Sequence, residues 1–150
     1  EDGLADASKH GEIAVSHDLC PGVRVVSGSR DAVAAFQVPG AVLTETDARQ
    51  GAHSPLAADA AAAYDALLVQ ALAGAATLAH PLHVAAPAGG VATDAAAAGD
   101  ALRGSLGRPG AWRAAMERLL AAGATHFADA GGGAQLRAFG ERCGAGAWLW

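Results

Sequence analysis

The sequence predicts an α/β protein built in two parts, and three patterns along the chain support this prediction. Short β-rich runs joined by a Pro-Gly turn come first, and a short helix follows them. After residue 50, helical patterns alternate with short apolar strands, which indicates a layered sheet buried between helices. At 150 residues and 52% hydrophobic, the chain can bury one ordinary core, as one unit or two small lobes.

The first part has the pattern β-β-α-β, which predicts a small α+β lobe. Strands are expected over 12–16 and 23–27, because β-branched residues there flank a Cys-Pro-Gly turn. Ser29 or Asp31 is a good N-cap for the short helix that follows. A further strand is expected over 41–48, directly before the second part begins.

The second part is predicted to begin with a strong helix start at Ser54 and Pro55. Serine is a preferred N-cap and proline fits the first turn, while Tyr64, Leu67, Leu68 and Leu72 follow at helical spacing. The first elements expected are a helix over 55–73, a strand over 82–86 and a helix over 95–106 that Thr93 or Asp94 caps. A helix from 109 to 123 follows, with Trp112 and Met116 in the core. A strand over 125–128, a glycine turn over 131–133 and a last helix to about 142 complete the order.

His53 stands one residue before that helix start. A histidine at a strand-to-helix junction projects from a rigid edge rather than into a core, which suits a general base. A surface histidine in a loop is the alternative explanation, and it would prevail if the neighbouring residues carried no further pattern.

Composition and charge exclude several classes of function. The net charge is −5 and no window combines several basic residues with aromatics, which argues against a nucleic-acid surface. The alanine-rich runs are too short to span a membrane. Two distant cysteines, Cys20 and Cys143, together with the lack of a signal peptide, predict free thiols and a cytoplasmic protein. The abrupt start on charged residues and the terminal Trp-Leu-Trp suggest a fragment.

Four segments resemble the second half of the malonyl-CoA:acyl-carrier-protein acyltransferase family. Residues 11–28 are similar to its run G-x-x-A-x-x-N-x-N-S-P-G-Q-x-V-x-S-G, and 31–33 to the start of its small-lobe helix. Gln50-Gly-Ala-His-Ser-Pro-Leu56 is similar to the catalytic-histidine segment. Residues 121–133 resemble x-x-G-x-x-x-F-x-E-x-G-P-G. Together these segments cover nearly the whole chain in the family's order.

The resemblance implies a partial hydrolase-like acyltransferase core over 50–150 and a partial ferredoxin-like small lobe over 1–49. His53 would be the general base in a ping-pong transfer of a malonyl or related acyl group from coenzyme A to an acyl carrier protein. A main-chain carbonyl would orient its ring, and Ala85 is the closest match in sequence. Gln50, Gly51 and Ala52 would line the acyl site. A coenzyme A thioester is the implied substrate, with no tightly bound cofactor.

The sequence also departs from the family pattern. No G-x-S-x-G occurs in these residues, so the nucleophilic serine is missing from them. The asparagines and glutamine of the first motif are replaced by His17, Leu19 and Val23. Two alternatives therefore stand beside the acyltransferase. One is the malonyl-transferring subunit of malonate decarboxylase, and the other is a degenerate, non-catalytic interaction domain. The small Ala52 beside the histidine leaves the choice of acyl group open.

Other candidate sites are weaker. His80 and His83 could form a metal pair, but residues three apart on a strand face opposite sides, so no metal is predicted. The glycines at 131–133 favour a tight strand-to-helix turn over a phosphate site, because the G-x-G-x-x-G pattern is missing. Asp129 is expected to cap that turn.

Overall fold

A computed structural model describes residues 2–45, 51–73, 77–84, 90–131 and 134–149. The elements run in this order: α1 (Asp2–Ala7), β1 (Ile13–Cys20), β2 (Val23–Gly28), α2 (Arg30–Ala35), α3 (Ala58–Leu72), β3 (Thr77–Val84), β4 (Gly90–Asp94), α4 (Ala95–Leu102), α5 (Trp112–Ala121), β5 (His126–Ala128), α6 (Ala134–Arg142) and β6 (Ala147–Leu149). In these ranges the strands pair as β1-β2 and β3-β4, both antiparallel, and β5-β6, which is parallel.

The predicted hairpin is confirmed, and β1 contains an irregularity that matters for the site. Val15 pairs with Val26 and His17 pairs with Val25, so Ser16 is an extra residue in the ladder. Such a bulge changes which face the following side chain occupies. Ser16 is fully buried, and its hydroxyl donates to the carbonyl of Val25 at 3.2 Å.

The short helix α2 is also confirmed, with Ser29 as its N-cap. The Ser29 hydroxyl accepts a hydrogen bond from the amide of Ala32, which satisfies one of the free donors at the helix start. The expected strand over 41–48 is not formed over 41–45, and 46–48 lie outside the described residues. Val42 is 93% exposed, so its side chain is not packed against the described residues.

Helix α3 follows a short 3-10 turn at Pro55–Ala57, so the predicted helix exists with a slightly later start. Ala61 is buried and Tyr64, Leu68 and Leu72 are half-buried along one face, as their spacing predicts. Leu67 does not belong to that face, because its side chain is 64% exposed.

Helix α4 is shorter than predicted. Asp94 caps it by accepting from the amide of Ala97 at 2.8 Å, as expected. The helix ends at Leu102 rather than 106, because Gly104 takes a left-handed conformation with φ 70°. A 3-10 turn, Ser105–Gly107, then leads towards α5.

The C-terminal elements pack around aromatic rings. In α5, Met116 is 2% exposed, which confirms its predicted place in the core. Strand β6 was not predicted, and it places Trp148 against Phe127 with ring centroids 5.3 Å apart. Gly140 of α6 lies against the same indole, where a β-carbon would overlap the ring. Trp148 is therefore half-buried.

The buried side chains in the described ranges are mostly small. They are Ala7, Ser16, Cys20, Ala32, Ser54, Ala61, Ala92, Ala95, Ala98, Ala115, Met116 and Ala145. Several large apolar side chains remain exposed, including Leu67 and Val69 of α3 at 64% and 52%. No helix in these ranges is long and apolar enough to cross a bilayer.

Candidate active site

His53 lies in a tight turn whose backbone is fixed by a main-chain hydrogen bond to Leu106. Its φ is 59°, the left-handed region that costs most residues of order 1–3 kcal/mol and is common at functional positions. The amide of His53 donates to the carbonyl of Leu106 at 2.7 Å. This bond holds the turn against the 3-10 turn Ser105–Gly107.

The ring of His53 is held by the neighbouring carbonyl of the same 3-10 turn. Its Nδ1 lies 2.8 Å from the carbonyl oxygen of Ser105. A carbonyl oxygen only accepts, so Nδ1 carries the proton and the neutral ring keeps a lone pair on Nε2. Two consecutive carbonyls thus fix both the backbone and the tautomer, and the remaining nitrogen can act as a base.

A second histidine, His17 of β1, lies directly against this ring. The two imidazole centroids are 4.5 Å apart with an interplanar angle of 66°, an edge-to-face contact. The single hydroxyl proton of Ser16 is used on Val25, so its oxygen accepts from Nδ1 of His17 at 3.3 Å. The second ring also has its lone pair on Nε2.

The surroundings keep His17 neutral. Burial lowers the pKa of its imidazole below the ordinary 6.5, and the nearby charge that His53 carries when protonated lowers the pKa further. Two imidazolium cations this close would repel each other. Simultaneous protonation of both rings is therefore disfavoured.

Gly110 joins the hairpin to the rest of the site. Its amide donates to the carbonyl of Ser16 at 2.6 Å, and its carbonyl accepts from the amide of Asp18 at 3.4 Å. A β-carbon on Gly110 would lie 2.5 Å from Cδ2 of His17, closer than real side chains approach. Glycine at this position leaves room for the His17 imidazole beside the main-chain hydrogen bonds between Gly110 and β1.

The other predicted site residues fall partly outside the described ranges. Gln50 and Ala85 lie outside them, so their roles stay predictions. Gly51 and Ala52 are half-buried in the turn that leads into His53. The carbonyl that contacts Nδ1 belongs to Ser105, which sequence reasoning missed.

The fully buried Ser54 does not cap the helix as expected. Its hydroxyl donates back to the carbonyl of Gly51 and closes the His53 turn. A β-carbon on Gly51 would lie 3.1 Å from Cβ of Leu56, so this side of the turn is closely packed. The serine therefore shapes the turn that carries the histidine rather than the first turn of the helix.

The weaker candidate sites lie partly within the described residues. Asp129 accepts the amide of Gly131 at 2.8 Å, so it caps the strand-to-helix turn as predicted. Across the part of the chain that the structure describes, no three histidine, cysteine or acidic side chains are grouped to hold a metal ion. The side chain of His83 lies outside that part.

Comparison with known proteins finds the fold and little sequence similarity. No protein-family model and no curated protein matches the sequence. A malonyl-CoA:acyl carrier protein transacylase from Xanthomonas oryzae matches with TM-score 0.81 and 24% identity, over 98% of this chain and 48% of that one. A malonyl-transacylase solved in complex with its type II polyketide acyl-carrier protein matches with TM-score 0.83 and 19% identity, over 99% and 50%.

An acyl carrier protein S-malonyltransferase from Vibrio cholerae gives TM-score 0.78 and 20% identity, again over 99% of this chain and 50% of the other. The chain thus spans about half the length of the solved structures that it matches. The resemblance found in the sequence is confirmed at the level of architecture: over its described residues this chain has the α/β fold of the malonyl-CoA:acyl carrier protein transacylases.

Proposed function

We propose that this chain is the histidine-bearing half of an enzyme that moves a malonyl or related acyl group from coenzyme A to an acyl carrier protein. The observation that carries the proposal is the Nδ1 contact of His53 with the Ser105 carbonyl, which leaves Nε2 free to accept a proton. The turn that carries this base occurs within a fold shared with malonyl-CoA:acyl carrier protein transacylases.

In the proposed reaction, Nε2 of His53 takes the proton of a serine hydroxyl while the serine oxygen attacks the thioester carbonyl. The C–S bond breaks, the acyl group stays on serine, and the coenzyme A sulfur leaves with the proton from His53. Nε2 then takes the proton of the carrier's phosphopantetheine thiol. The thiolate attacks the acyl-serine ester, and serine leaves with that proton. The serine would come from polypeptide outside these 150 residues.

The finer assignments belong to the same proposal. Residues 1–49 would form the ferredoxin-like small lobe, of which α1, the β1-β2 hairpin and α2 are the described elements. Residues 50–150 would complete the acyltransferase core. Gln50, Gly51 and Ala52 would lie beside the acyl group, and the Ser105 carbonyl would take the ring-orienting role that was expected of the Ala85 carbonyl. The enzyme would act in the cytoplasm on a coenzyme A thioester without a tightly bound cofactor.

The test uses the full-length polypeptide that carries these residues, with malonyl-CoA and a holo-acyl carrier protein. Intact-mass spectrometry measures the malonyl adducts of the enzyme and of the carrier. His53→Gln should lower both loading and transfer by about 10²- to 10⁴-fold, because the base is removed. The exposed His126 provides a matched control, and His126→Gln should leave both rates unchanged.

Unchanged transfer in His53→Gln would overturn the assignment of the base. Carrier binding with no loading in the unaltered protein would favour the non-catalytic interaction domain instead. Transfer to a carrier protein coupled to decarboxylation of the malonyl group would favour the malonate decarboxylase subunit.

A further inference from the structure

The support of His53 depends on a turn that needs support of its own. Both contacts of His53, through its amide and through Nδ1, go to the adjacent residues Ser105 and Leu106. A small displacement of that turn would therefore move the imidazole and alter the hydrogen bond that holds the proton on Nδ1. The residues that hold Ser105–Gly107 in place therefore determine the position of the His53 ring.

Asp65, in the middle of α3, holds the start of this turn. Both of its carboxylate oxygens accept from the amide of Gly104, at 2.9 and 3.1 Å. A hydrogen bond to a carboxylate is about twice as strong as a neutral one, and this one is half-buried. Gly104 has φ 70°, so the contact fixes a left-handed residue between α4 and the turn.

The packing around Asp65 supports the same contact. Ala61 is one helical turn earlier on the same face of α3 and is 7% exposed. A β-carbon on Gly107 would lie 3.4 Å from the Ala61 side chain, so helix and turn are in close contact there. The carboxylate thus provides a polar anchor next to a tight apolar one.

The chain and these contacts together lead from His53 through Asp65 back to the His53 ring. His53 leads through Pro55–Ala57 into α3, α3 carries Asp65, and Asp65 binds the amide just before Ser105. Ser105 then returns to Nδ1 of His53. The rigid helix fixes Asp65 relative to the turn at its start, and the carboxylate holds the segment that carries the Ser105 carbonyl.

We propose that Asp65 is a positioning residue for His53, acting through Gly104 to hold the Ser105 carbonyl on Nδ1. Asp65 does not touch the imidazole and takes no part in proton transfer. Its effect is on the tautomer and orientation of the base. The consequence for turnover rests on the function proposed above, whereas the consequence for the tautomer does not.

The experiment measures the tautomer and the kinetics separately in the full-length polypeptide. Nitrogen-15 correlation spectra of the histidine rings report whether Nδ1 or Nε2 of His53 carries the proton, with His53→Gln to assign the signals. Asp65→Leu has a similar shape and no acceptor, so the Nδ1-protonated form should lose its predominance. With malonyl-CoA and holo-acyl carrier protein, kcat should fall roughly 10- to 100-fold with KM within about twofold.

Asp65→Asn keeps one oxygen that can accept from Gly104, so it should retain most of the Nδ1-protonated form and an intermediate kcat. This variant carries the test if Asp65→Leu does not fold. Asp59 is exposed in the first turn of the same helix, and Asp59→Asn should change neither readout. A wild-type tautomer in a folded Asp65→Leu or equal effects in the two Asn variants would overturn the proposal. No transfer in the unaltered protein would contradict only the proposed function.

Discussion

The two sides of the site hold their histidines in different ways. On the hairpin side, His17 depends on side chains: the Ser16 hydroxyl binds its Nδ1, and burial lowers its pKa. On the α3 side, His53 depends on the main chain, through two consecutive carbonyls. A side-chain support is lost by a single substitution, whereas a carbonyl is present whatever residue bears it. The comparison teaches that the His53 ring is fixed by backbone geometry and the His17 ring by residue identity.

The largest effect is expected from Gly110→Ala, which places a methyl group against the His17 ring on the hairpin side. The new methyl group would lie 2.5 Å from Cδ2 of His17, whose ring already packs against the ring of His53. We expect the free energy of unfolding to fall by about 1–3 kcal/mol, measured by urea denaturation. Gly146→Ala is the control, because its methyl group would meet only the Thr125 carbonyl at 3.9 Å. Equal losses in both variants would contradict the close packing of Gly110 on His17.

A smaller effect is expected from Ser16→Ala. The substitution removes the buried hydroxyl that bonds Val25 and leaves Nδ1 of His17 without its partner. The expected loss is about 1–2 kcal/mol, the usual cost of one unsatisfied buried group. Ser8→Ala removes a comparable but exposed hydrogen bond to Ala5 and should cost less in the same denaturation experiment. If the two losses were the same, the Ser16 hydroxyl would not support His17.

The depressed pKa of His17 predicts a pH dependence of stability. In the unfolded chain the imidazole regains its ordinary pKa of 6.5, while burial and then the charge of His53 keep the folded value lower. As the pH falls from 6.5 to the folded value, the unfolded state binds more protons, so stability is lost. His17→Gln should flatten this part of the curve of unfolding free energy against pH. His126→Gln should leave the slope as it is, and an unaltered slope in His17→Gln would refute the burial of a neutral ring.

The smallest effect is expected on the outer face of α3. Leu67 is 64% exposed, so Leu67→Gln should change the free energy of unfolding by no more than about 0.5 kcal/mol. Leu68, half-buried on the inner face, is the matched position, and Leu68→Gln should cost several times more. Similar losses at the two positions would show that this outer face is covered in the protein in solution.

Much of the fold follows from local sequence signals. The Pro-Gly turn, the Ser29 and Asp94 caps and the apolar spacing of α3 and α5 each act within a few residues, so they can be read without the structure. The strands β4 and β6 were missed because Gly-Val-Ala-Thr-Asp reads as a turn and cap, and Ala-Trp-Leu is only three residues long. Their pairing comes from partners elsewhere in the chain.

The site was predictable only in part, for the same reason. The sequence pointed to His53 through its motif and helix start, whereas nothing in it placed His17 against that ring. The Ser105 carbonyl could not be found, because every residue has a carbonyl and the contact spans 52 positions. A helix that ends four residues early brings Ser105 into a 3-10 turn, and the left-handed Gly104 that ends it was the one local signal available.

The segment 104–110 has a consequence for how the two imidazoles are spaced. Its first residues bind His53 through carbonyls, and its last residue binds the strand that carries His17. The length of this segment therefore influences the 4.5 Å distance between the centroids of the two rings. Inserting or deleting one residue between Gly107 and Gly110 should change the spacing of the two histidines without altering either side chain, so chain length contributes to that spacing together with Ser16 and Gly110.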